Sequence, residues 1–135
     1  MTRGERNNNP LNIRRSKRTK WLGQVKIQRD KSFVQFQCMM LGFRAAFRLI
    51  RSYVNVYGLT TIRTIIYRWA PPEDGNDTDA YISTVCFRTG YDAGRVLNFY
   101  NEEEITALVR AMAFVESRMT DIDPEMLHKA YMLAR

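Results

Sequence analysis

At 135 residues with 45% hydrophobic side chains, the chain has enough material for one domain with a real core and too little for two, so residues 1–135 read as a single domain. No apolar run approaches the roughly 18 to 20 residues that cross a bilayer, and the charged, amide-rich N-terminus lacks the apolar core of a secretory signal, which argues for synthesis in the cytoplasm with no signal peptide and no membrane span. The net charge of +7 is concentrated: residues 1–31 hold ten Lys/Arg against Glu5 and Asp30, whereas the remainder holds eleven basic and twelve acidic side chains. Such a segment is either an electrostatic footprint for a polyanion (nucleic acid, an anionic wall glycopolymer, a membrane surface) or a solvated positive face.

In chain order, Arg6-Asn7-Asn8-Asn9-Pro10-Leu11-Asn12-Ile13-Arg14 comes first. Asparagine tolerates left-handed dihedrals and bonds its own backbone, while Pro10 forces Asn9 to extended geometry, so this is a rigid amide-lined loop. It serves either as a structural corner or as a surface offering amides to a sugar. Residues 21–36 alternate as a short hairpin would, with Val25 and Ile27 on one arm, Val34 and Phe36 on the other, and residues 29–32 as the turn. From Met39 the period becomes helical: Met40, Phe43, Phe47, Ile50, Val54 and Tyr57 share a face, Arg44, Arg48 and Arg51 another, and Gly58 stands where a cap would. A second helix starts from Thr60 or Thr61, carries Ile62, Ile65, Ile66 and Trp69, and stops at Pro71-Pro72. Asp77 or Thr78 caps a third, with Tyr81, Ile82, Val85 and Cys86 on one side and an end near Gly90. Asn101 before Glu102, Glu103 and Glu104 predicts a fourth running to about Arg118. Asp123-Pro124 starts a last one with Met126, Leu127, Ala130 and Tyr131 inward. The sum is a mainly α chain with one small β-hairpin.

Glu116 stands out on the fourth of these helices. Its apolar stripe is Ile105, Leu108, Val109 and Met112, and at about 100° per residue Glu116 falls within about 20° of the direction of Ile105. A carboxyl at the core-facing end of a stripe loses solvation and meets the negative end of the helix dipole, and both effects favour the protonated form that a general acid needs. The alternative is a last turn that clears the core and leaves Glu116 solvated or paired with an arginine. Glu5, beside the Asn loop, is its rival, in a segment that reads as flexible. Glu73, Asp74 and Asp77 have adequate turn and cap roles, and His128 is a lone histidine suited to packing or surface. Cys38 and Cys86 read as two small buried thiols, with a single bridge between them left open. No phosphate loop, dinucleotide glycines or Cys/His metal pattern is present, so no cofactor and no metal is expected.

Taken in order, residues 6–14, Trp21-Leu22-Gly23, Phe33-Val34-Gln35-Phe36, Gly42 to Ala46, Thr61 to Ile66, Trp69-Ala70-Pro71, Asn76-Asp77-Thr78 and Tyr81-Ile82 resemble a family of phage and prophage proteins usually labelled virion structural proteins and assigned to the lysozyme-like superfamily. The resemblance runs from Gly4 to about Glu116 and implies a lysozyme-like helical fold acting on peptidoglycan. A looser similarity is to glucosaminidases of the flagellar type, in which a helix ending in a catalytic Glu precedes an Asn-rich loop, an aromatic strand and a helix opening with small residues. Here that order is rotated, as in a circular permutation, which would place Glu116 beside the Asn7 to Asn12 loop.

The resemblance implies a glycosidase or lytic transglycosylase with Glu116 as general acid, and Asn8, Asn9, Asn12, Trp21, Asn76, Thr78 and Tyr81 as substrate contacts. Asp77 and Asp30 are the candidates for a second carboxylate. Implied partners are peptidoglycan strands and other virion proteins, with the chain a monomer acting in a virion or at the bacterial wall after phage-type delivery. Three positions depart from the family's pattern: Leu11 and Arg118 stand where the family carries Gly, and Gly75 where it carries Glu. Arg118 could pair with Glu116 and hold it ionised. Two alternatives follow: a non-catalytic virion or wall-binding module on the same fold, and a nucleic-acid binder using the basic N-terminal segment.

Overall fold

The computed structural model describes every residue from Met1 to Arg135 and is mainly helical. Its helices are α1 (Arg3–Arg6), α2 (Met39–Asn55), α3 (Ile62–Trp69), α4 (Thr78–Thr89), α5 (Glu102–Ser117) and α6 (Pro124–Ala134), with a single 3-10 turn at Pro72–Asp74. Local chemistry sets the boundaries. The side chains of Thr61, Asp77, Asn101 and Asp123 accept backbone N–H bonds in the first turns of α3, α4, α5 and α6. The other ends are closed by Pro71-Pro72 after α3 and by Gly90 in left-handed geometry after α4. None of the helices is long and apolar enough to cross a membrane.

One apolar cluster of 29 buried residues holds these elements together, drawing on every helix from α2 to α6 and on the N-terminal loop through Leu11 and Ile13. α6 lies along α2, and Tyr131 is the pin between them: its ring meets Phe47 edge-on at 5.5 Å and stacks on Phe99 at 5.4 Å, while its hydroxyl donates to the Phe99 carbonyl at 2.8 Å. α4 packs on both α3 and α5. At the start of α5 the buried Glu104 carboxylate accepts from Arg95 at 2.8 and 2.9 Å and from the Asn98 backbone. This ties the 91–101 connection to the helix.

The expected hairpin does not form as a pair of strands. Residues 33–36 bond on both sides, to Ile13-Arg14 and to Gly23-Val25, and these contacts amount to isolated bridges at Arg14–Phe33 and Gln24–Phe36. The ladder cannot extend because side chains take its backbone groups: the Gln28 amide oxygen accepts from the Gln35 N–H, the Gln35 amide oxygen from the Arg29 N–H, and Asp30 from the N–H groups of Ser32 and Phe33. Ile27 consequently points into solvent.

Other details also differ from expectation. The N-terminus is ordered into α1, where Thr2 and Glu5 form a reciprocal capping box. Both cysteines are free thiols, and Cys38 is exposed at the start of α2 where a buried thiol was expected. His128 lies on the surface with its Nδ1 2.6 Å from Glu102.

Candidate functional site

The Asn-rich loop takes its shape from its own side chains. Asn8 and Asn12 adopt left-handed geometry (φ 51° and 52°), which asparagine tolerates. Asn9 is fully buried, donating to the carbonyls of Ile13 and Val34 at 3.0 and 2.8 Å and accepting from the Ile13 N–H at 2.9 Å. Both amide hydrogens of Asn9 are spent inside the protein, and its burial keeps the oxygen from a ligand. Asn8 donates to the Phe36 carbonyl.

This loop is seated on the C-terminal end of α5. Ser117 donates to the Pro10 carbonyl at 2.7 Å, and Thr2 donates to the Ser117 carbonyl at 2.9 Å. Two glycines permit the approach: a Cβ on Gly4 would collide with Ser117 Oγ, and one on Gly42 would collide with the Asn8 carbonyl oxygen. Asn12 therefore reaches Glu116, 104 positions away in the chain, donating to its backbone carbonyl at 3.1 Å and to Oε1 at 3.2 Å.

The other carboxyl oxygen of Glu116, Oε2, accepts from the Tyr81 hydroxyl at 3.1 Å, and the Trp69 indole stands close enough to favour the charged form. Burial pushes the Glu116 carboxyl above its ordinary value, and Asn12, Tyr81, Trp69 and the positive charge of Arg14 pull partly the other way. The C-terminal end of α5 acts in the same direction as burial. Tyr81, buried and beside this carboxyl, is held well above the ordinary phenol range and stays a donor. Glu116 belongs to none of the four ion pairs, which are Arg3–Asp30, Arg95–Glu104, His128–Glu102 and Lys129–Glu125. The pairing considered for Arg118 is absent, because that residue leaves α5 in left-handed geometry (φ 57°) with its guanidinium over Phe114.

Glu116 opens on a cavity of about 460 Å³ whose wall also includes Asn12, Arg14, Trp21, Arg68, Trp69, Asp74 and Asn76. Asn12, Trp21, Asn76 and Glu116 thus line one cavity. The remaining expected contacts do not. Asn8 and Asn9 face the protein, and buried Thr78 donates to the Ala70 carbonyl at 2.6 Å. Tyr81 reaches the acid from behind the cavity wall. Glu5 is occupied by Thr2, which holds its carboxyl below the ordinary range, so it does not retain a proton near neutrality. Asp30 is bound by Arg3 and Asn7 and held far below the usual carboxylate range, and Asp77 caps α4. Neither is a free second acid.

Sequence reasoning missed Trp69, Arg14, Arg68 and Asp74. The apolar stripe of α3 sent Trp69 to the core, but in the last turn its indole projects past the core edge and is only half-buried. The Trp69-Ala70-Pro71 run was the available signal, since a large aromatic just before a proline stop stands at a rim.

No protein-family model matches the chain. It is 40% identical over 117 residues to Protein P5 of Pseudoalteromonas phage PM2, an alignment covering 85% of this chain and 71% of that protein. At that identity and coverage, the chain belongs to the phage protein family of which Protein P5 is a member.

Proposed function

We propose that the chain cleaves the glycan strands of peptidoglycan, with Glu116 as the general acid that protonates the glycosidic oxygen. The observation carrying this reading is the environment of Glu116: a carboxyl raised by burial, free of any ion pair, with a donor on each oxygen and an opening onto a cavity lined by amide and indole side chains. A glycosidase or lytic transglycosylase asks for that arrangement, because the acid must keep its proton near neutrality and be aimed at a bound sugar. Trp21 and Trp69 are the stacking surfaces, and Asn12 and Asn76 the polar contacts. Asn12 Oδ1 is buried with no partner, an acceptor suited to a sugar hydroxyl or acetamido N–H. On this reading the fold is a lysozyme-like one in permuted order, with the acid-bearing helix after the Asn-rich loop instead of before it. Membership of a phage protein family agrees with a virion-associated wall enzyme.

Digestion of purified cell wall followed by mass analysis of the supernatant tests the reaction. Soluble saccharide fragments with newly formed sugar ends are expected. A wall left intact, or one released only by peptide cleavage, would remove the proposal.

A further inference from the structure

Two arginines stand on the cavity wall with nothing to bind. Arg14 is fixed by its backbone pairing with Phe33 and lies over the Phe33 ring at 5.3 Å. Arg68, in the last turn of α3, lies 5.8 Å from the Tyr53 ring and 5.4 Å from the Tyr57 ring. Both side chains are exposed, neither forms an ion pair, and neither donates a hydrogen bond to any protein group. Asp74, on the same wall, pairs with neither. Aromatic faces hold each guanidinium in place while its N–H fork remains open, the arrangement that suits a planar carboxylate. A neutral polysaccharide offers neither guanidinium a counter-charge.

We propose that Arg14 and Arg68 form a subsite for a carboxylate carried by the glycan, so that the cavity selects an anionic strand over an uncharged one. This rests on the glycan-cleft reading above and adds the substrate class to it. The neighbouring loop strengthens the selection: Arg15, Lys17, Arg18 and Lys20 are exposed and outside every ion pair, and they extend the positive field from the mouth of the cavity. Trp21, at the end of that loop, lines the cavity and joins the basic segment to the sugar site.

Binding measurements in a Glu116→Gln background, which slows turnover, test the subsite. The probes are peptide-bearing glycan oligomers from purified wall, the same oligomers with their carboxylates converted to amides, and uncharged N-acetylglucosamine oligomers of equal length. The charged oligomers are expected to bind roughly tenfold or more tightly than the other two, with the preference shrinking as salt rises. Arg14→Gln with Arg68→Gln should abolish the preference, and Arg14→Lys with Arg68→Lys should restore part of it. Peptide-free glycan assigns the source, because the sugar's own carboxyl is locked in an amide bond wherever a peptide is attached: a preference for charged peptide-bearing oligomers places the group on the stem peptide, and a preference seen only with peptide-free glycan places it on the sugar. Equal binding of charged and amidated forms in both the peptide-bearing and the peptide-free series, or a preference that survives the double Gln substitution, would overturn the subsite and leave the cleft standing. Failure to bind any oligomer would overturn both.

Discussion

Glu116 is the residue on which the chemistry depends, and its neighbours divide into those that set its proton and those that set its position. Asn12 and Tyr81 bond the carboxylate more strongly than the acid form, so each works against burial. Tyr81→Phe should therefore move the alkaline limb of the pH–rate profile to higher pH, and lower the rate about tenfold through looser aim of the acid. A limb that moves down, or does not move, would place Tyr81 outside the proton's environment. Arg118 is a separate case, a non-glycine residue held in left-handed geometry at the end of α5. With no bond to Glu116 to justify that strain, Arg118→Gly should stabilise the fold by up to about 1 kcal/mol in thermal or denaturant unfolding, and leave Glu116 chemistry intact.

At the scale of elements, the site is made where the Asn-rich loop meets the end of α5. That junction depends on close approach: Gly42→Ala puts a Cβ into the Asn8 carbonyl and should cost about 1 to 3 kcal/mol of stability. Asn9→Ala strands the Ile13 N–H and the carbonyls of Ile13 and Val34, and should cost about 3 kcal/mol in denaturant unfolding. An Asn9→Ala variant with unchanged stability and weakened glycan binding would reverse the assignment of that side chain. The helices and their caps were legible locally, because Thr61, Asp77, Asn101 and Asp123 act on backbone groups two or three residues away. The meeting of Asn12 and Glu116 was not, since no periodicity links positions 104 apart; only the rotated order of motifs suggested it. The hairpin was misread because alternation in residues 21–36 says nothing of the Gln28, Asp30 and Gln35 side chains that take over backbone bonding. Arg14 and Arg68 were lost in a general positive charge whose local geometry only the fold supplies.

For the whole molecule, a carboxyl whose burial favours the protonated form is a liability to folding. The Glu116 carboxyl titrates above its ordinary value of 4.5, so the folded chain holds a proton that the unfolded chain releases. Stability must then fall as pH rises from about 4.5 through the folded-state value and level off beyond it. Glu116→Gln carries no such group, so its melting temperature should exceed that of the parent near neutral pH, with the advantage vanishing below about pH 4. A variant less stable than the parent at neutral pH would show that the carboxylate is held as a structural anion. The same substitution tests catalysis most directly, in the rate of soluble glycan release from purified cell wall. With Glu116 as general acid, Glu116→Gln should bind wall as the parent does and release fragments about 10³-fold more slowly. A variant that degrades the wall at the parental rate would contradict the assignment of Glu116.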